Sequence, residues 1–258
     1  QALEIYKKGL EIEPENLLLI KRIEEIYSFK EDFFNLVEIF KQELAINDLS
    51  SERRESIFLQ IAEIHEFKMN NIDGAKESYL NILNIEPNNL IAIQGLQRIY
   101  QKNKEYKSLE SMLLRELKLQ QEKVRCEKIQ IELGILEEEK FGNLTNAVAY
   151  FQRVHKDRPD DIFVIERLQS LWKQQERWNE YVLTAEKRIE LVKSYQNTIQ
   201  LRQELMDIYE TKTLEIEKAI LHGEEIFKES PEHLITILNL QRLRSEERRV
   251  GKECRSRW

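Results

Sequence analysis

The sequence has 258 residues, of which 41% are hydrophobic and 34% charged, with 47 acidic side chains against 40 basic ones. Seven glycines and four prolines are too few turn-formers for a β-sandwich, a barrel or a run of βα crossovers, and two cysteines exclude a disulfide framework or a cysteine zinc site. No apolar run approaches the roughly 20 residues of a membrane span and no signal peptide heads the chain, so the numbers predict an all-α protein.

The chain opens on Gln1-Ala2, without a methionine and in the middle of a helical pattern. From there, pairs of apolar stripes at helical spacing alternate with short polar turns. The turns read Lys30-Glu31-Asp32, Asn70-Asn71-Ile72-Asp73-Gly74, Asn103-Lys104-Glu105, Gly142-Asn143 and Gln175-Glu176-Arg177. At Arg244 the pattern stops. Residues 244–258, RSEERRVGKECRSRW, lack apolar spacing and resemble one reading frame of a common sequencing-library adapter, so the sequence reading sets them apart as a non-native tail. Without their six basic and three acidic side chains, the formal charge of −7 becomes −10.

The four prolines act as a ruler. Pro14, Pro87, Pro159 and Pro231 stand 73, 72 and 72 residues apart. Twelve residues before each is an alanine: Ala2, Ala75, Ala147 and Ala219. Aromatics recur after three of them, at Tyr27, Tyr100 and Trp172 and again at Phe33, Tyr106 and Trp178. The residue opening each second helix (Ala2, Leu36, Ala75, Leu109, Ala147, Tyr181, Ala219) advances in steps that alternate between 34 and 38 or 39. The spacing predicts antiparallel helix pairs stacked side by side, each covering its neighbour's apolar stripe. Proline is expected in the first turn of a helix, where its missing N–H costs nothing. Asn88-Asn89 and Asp160-Asp161 are expected to cap free N–H groups. Alanine marks close helix crossings, and the aromatics fill wider gaps.

A helix–turn–helix of 34 residues with alanine, an aromatic and proline at these offsets resembles the tetratricopeptide repeat. The resemblance rests on ALEIYKKGLEIEPEN at 2–16, GAKESYLNILNIEPNN at 74–89, NAVAYFQRVHKDRPDD at 146–161, and the pair Leu133-Gly134, with Ile61-Ala62 a looser match. It covers residues 1–243. It implies an α-solenoid of antiparallel helix pairs wound as a right-handed superhelix, with about six repeats flanked by half-repeats and open at both ends. In that family the first helices line a concave face that binds peptides or partner helices. The residues expected there are Lys21, Glu25 and Ser28, then Gln94, Arg98 and Gln101, then Glu166, Ser170 and Lys173. The lysine, asparagine and arginine set with which some members hold a terminal carboxylate is not among them.

Nothing in the sequence reads as chemistry. His65, His155, His222 and His233 form no metal-ligand spacing, and no phosphate loop, nucleophile elbow or acid–base pair appears. His65 is expected in the core. Cys126 is expected to be structural, and Trp172 and Trp178 to be packing residues and not a ligand cage. No catalytic residue, cofactor or metal is expected. The function that follows is a scaffold for protein or peptide partners, the alternative being an accessory arm of a larger enzyme or signalling protein. RNA binding is disfavoured because phosphate contacts need a basic surface. The chain is expected to bind neither nucleic acid nor membrane. The sequence does not fix a compartment and leans only slightly to the cytoplasm.

Overall fold

A computed structural model describes the backbone of residues 2–192 and 194–255, with side chains through residue 246 apart from position 195. The described residues form fourteen α-helices and no strand. α1 (Ala2–Ile12) stands alone. Six hairpins follow: α2 (Leu17–Phe29) with α3 (Phe33–Leu44), α4 (Ser51–Glu63) with α5 (Ile72–Ile85), and α6 (Leu90–Lys102) with α7 (Tyr106–Leu119); then α8 (Lys123–Leu136) with α9 (Leu144–Asp157), α10 (Ile162–Gln174) with α11 (Trp178–Leu191), and α12 (Tyr195–Thr211) with α13 (Ile216–Glu229). α14 (Leu234–Arg255) closes the series. The residues expected to form a non-native tail continue this helix as far as 255, and their side chains from 247 onward lie outside the described residues. The helices gather into two compact units, residues 1–126 and 127–258.

The prolines lie three residues earlier than a first-turn position. Each occupies the second place of a β-turn closed by a backbone bond: Asn16 to Glu13, Asn89 to Glu86, Asp161 to Arg158 and His233 to Ser230, at 3.1–3.2 Å. That place favours proline because its fixed φ already suits the turn. The helix N-cap comes two residues after each proline. Asn16 accepts from the Leu18 and Leu19 N–H groups, Asn89 from Ala92 and Asp161 from Val164. At the fourth position His233 plays the same part, its Nδ1 facing the Thr236 N–H at 3.4 Å. Of the two cap candidates in each pair, Asn89 and Asp161 do the capping.

Each hairpin turn contains one residue in the left-handed region: Glu31, Asn70, Lys104, Gly142, Glu176 and Leu214, with φ between 50° and 66°. Two of the longer first helices end in a wide π-helical turn, Ile64–Lys68 after α4 and Glu137–Phe141 after α8. The Asn71 N–H bonds to the His65 carbonyl, the Asn143 N–H to that of Glu137 and the Glu215 N–H to that of Tyr209, each at 2.7–2.8 Å. The same closure thus recurs in all three long hairpins.

The core of the first unit is built from Leu10, Ile20, Ile23, Tyr27, Leu36, Val37, Phe40, Ile57 and Ile61. That of the second centres on Phe151, Val164, Leu168, Leu171, Trp172, Leu205 and Tyr209. Each such aliphatic side chain, once fully buried, contributes about 1.5–3 kcal/mol. Ala75, Ala147 and Ala219 have no exposed surface, as expected at crossings, whereas Ala2 is exposed. Two glycines admit an aromatic ring. A Cβ at Gly95 would lie 2.4 Å from the Tyr79 ring, and one at Gly134 2.9 Å from that of Phe151. Tyr27, Tyr100 and Trp172 are buried, while Phe33, Tyr106 and Trp178 are half-buried. His65 is buried. Cys126 is half-buried, its thiol directed at the Gln120 carbonyl.

Candidate protein-interaction site

The nine residues selected from sequence sit on first helices of hairpins, three each on α2, α6 and α10. Within each helix the spacing of four and then three residues aligns them along one side. Eight are exposed and Gln94 is half-buried. No hydrogen bond or ion pair among the described residues joins one triplet to another.

Several of these side chains hold the array together. Arg98 donates two bonds to Glu66, both at 2.9 Å, and a third to the Tyr79 hydroxyl, which itself donates to Glu66 at 2.7 Å. Lys173 donates to Glu204 on α12, and Glu166 accepts from Arg188 on α11. Among the described residues Glu25 pairs only with Arg22 of its own helix. Ser170 accepts from Gln174. Glu66, Glu138 and Glu210 recur at intervals of 72 residues. Each meets an arginine from the next first helix: Arg98, Arg167 and Arg242 respectively.

A second recurring polar cluster lies inside. Glu43, wholly buried, accepts two 2.7 Å bonds from Arg53. Its counterpart 73 residues on, Glu116, is also wholly buried and accepts from Gln94, Gln97 and both arms of Arg125 at 2.8–2.9 Å. At the third position the polarity inverts: Arg188 donates to Gln169 and Glu166. Burial opposes a charge on Glu116, but the bonds from Arg125, Gln94 and Gln97 hold its carboxyl below the usual range. In the first cluster two carboxyls compete. Burial, together with a hydrogen bond to the Glu43 carboxylate, pushes Glu24 up to about 7. Burial also works against ionisation of Glu43, and the bonds from Arg53 and Glu24 outweigh it, leaving its carboxyl below the usual range. A protonated Glu24 thus donates to an ionised Glu43.

The structure adds apolar members that the sequence reading left out. Four residues after each proline stand Leu18, Ile91, Phe163 and Ile235, between 42% and 69% exposed. Leu18, Ile91 and Phe163 each lie three residues before the first member of a polar triplet, on the same side of the helix. The signal was present in the sequence, since this position is apolar after every proline. Beside the α2 stripe lies a groove of about 500 Å³ in the first unit, between α2, α3 and the end of α4. Phe33, Phe40 and Phe67 line it with Glu24, Glu25, Ser28 and Glu63. Phe67 is 64% exposed. Among the described residues no group of three or more His, Cys, Asp or Glu side chains could hold a metal ion. No helix described is long and apolar enough to cross a membrane.

No protein-family model matches the sequence, and no curated protein matches it. Solved structures do. A tetratricopeptide repeat protein from Parabacteroides merdae is 17% identical, with 93% of this chain and 90% of that chain covered and a TM-score of 0.40. The described helices form successive antiparallel pairs, a tetratricopeptide-like solenoid fold. YrrB, described as a tetratricopeptide repeat protein with an unusual peptide-binding site, is 16% identical over 78% of this chain and 97% of that one, with a TM-score of 0.44. The Naa15/Naa10 complex bound to HypK-THB gives a TM-score of 0.55 at 14% identity over 99% of this chain. The present chain spans 39% of that structure's chain.

Proposed function

We propose that this chain is a scaffold that binds protein or peptide partners along the exposed side of its first helices. The observation that carries the reading is the repeated exposed apolar position, Leu18, Ile91, Phe163 and Ile235. An array that needed these helices only for packing would gain solubility from polar residues there. Apolar surface kept at one place in every double hairpin, beside a polar stripe, has the make-up of a contact surface. Peptide binding by YrrB and the HypK-THB complex of Naa15/Naa10 accord with protein partners for this fold. The reading asks for no catalytic group and no cofactor. The nine polar residues add specificity, with Lys21, Ser28 and Gln101 the freest to meet a partner and Arg98, Glu166 and Lys173 already engaged in intramolecular ion pairs.

The test is affinity capture from the native host with the wild-type chain and a Leu18→Glu/Ile91→Glu/Phe163→Glu variant, whose helicity is checked by circular dichroism. Proteins retained by the first and released by the second are expected. Equal retention by both removes this surface from consideration.

A further inference from the structure

We propose that the groove between α2, α3 and α4 receives a cationic side chain, arginine or lysine, that a partner protein carries next to an aliphatic or aromatic residue. The inference rests on the scaffold reading above and gives it a partner chemistry. The first argument is charge. Two carboxylates line the groove, Glu25 and Glu63, beside the protonated Glu24 and against the single ammonium of Lys68. Glu24 is drawn inward to Glu43 and Arg53. Glu25 and Glu63 are not so committed. The pair of Glu25 with Arg22 is solvent-exposed on both sides, 63% and 55%, and such a pair is readily exchanged because it is worth little. Glu63 is exposed and has no ion pair among the described residues.

The second argument is the aromatic lining. Lys68 Nζ lies 5.6 Å from the centre of the Phe33 ring, and the Arg98 guanidinium 5.7 Å from that of Phe67. Both rings already draw cations from their own chain, and the open surface of Phe67 offers the same quadrupole to an incoming one. Carboxylates beside aromatic faces attract a guanidinium or ammonium and repel an acidic segment, while the apolar floor of Leu36 and Phe40 rewards a neighbouring hydrophobic residue. A groove of about 500 Å³ is of the size that accepts one or two side chains and not a folded domain.

A random-peptide phage library panned against the full chain, with a Glu25→Lys/Glu63→Lys variant as counter-selection, tests the proposal. Both substituted residues are exposed, and circular dichroism confirms that the variant is folded. The expected result is about threefold enrichment of Arg and Lys beside apolar residues among peptides retained by the native chain alone. Synthetic copies of those peptides should lose about tenfold in affinity when Phe67→Ala is introduced. Enrichment in Asp and Glu, enrichment of apolar residues without charge, an identical set on both chains, or an empty set overturns it. In the second of these cases the scaffold reading survives, because an apolar peptide still docks. The host-capture experiment above judges that reading on its own.

Discussion

Leu214 is the least suited of the six left-handed residues, with φ 59° and a side chain 75% exposed. An L-residue there brings its Cβ against the following carbonyl, at a cost of about 1–2 kcal/mol that glycine escapes. Glycine loses more freedom on folding, which takes back part of the gain. Leu214→Gly should therefore raise stability by about 0.5–1 kcal/mol in urea denaturation. Gly142 already occupies the equivalent place two hairpins earlier. Glu24 gives a pH-dependent case, set among Glu43, Arg53 and Lys21. Its folded value near 7 exceeds the ordinary 4.5, so between those limits the native chain holds a proton that the unfolded chain has released. Stability from this group is therefore full at acid pH and falls as pH rises through about 7. The counterparts in the next two double hairpins are Gln97 and Gln169, neutral at every pH. Glu24→Gln should stabilise by about 1–3 kcal/mol at pH 8 and change little at pH 4, read from thermal midpoints at the two values.

Among helices, the buried Glu116 depends on Arg125 to offset its desolvation. Arg125→Met leaves a carboxylate held by two amides alone, at a cost of about 3–5 kcal/mol near neutral pH, measurable by denaturant titration. The loss should shrink as acid protonates Glu116, because a carboxyl held below its usual value stabilises only while ionised. How far the sequence foretold these elements is visible in the same residues. Hairpin order, the crossing alanines and the buried aromatics follow from apolar spacing, which local chemistry makes explicit. The placement of the prolines three residues before the helices does not, because proline suits a β-turn and a first helical turn equally. The π-helical turns left no pattern to read. For the site, the exposure of eight of the nine polar residues followed from their spacing, while Gln94 turns inward to Glu116. Their ion-pair partners, about thirty residues away for Arg98 with Glu66 and Lys173 with Glu204, depend on which hairpins lie side by side, and apolar periodicity carries no record of that.

In the molecule as a whole, repeats that touch only their neighbours make stability local. Gly134→Leu would drive a side chain into the Phe151 ring, which already lies at contact distance. Amide hydrogen exchange should then quicken in α8 and α9, at a cost of about 1–3 kcal/mol. Protection in α2 to α5, within the other unit, should stay as it is. A uniform rise in exchange over both units would show that they unfold together.

The matched seats of Glu43, Glu116 and Arg188, and of Glu66, Glu138 and Glu210, bear on how such a gene lengthens. A single hairpin copied and inserted would carry the wrong polar groups to its new neighbour, since odd and even hairpins differ in length and in what they offer across the junction. Copying two hairpins together delivers every acid to a waiting base. The smallest unit that keeps its polar partners on insertion is therefore the double hairpin, and Arg188 with Glu166 shows that the same seat works with the charges exchanged.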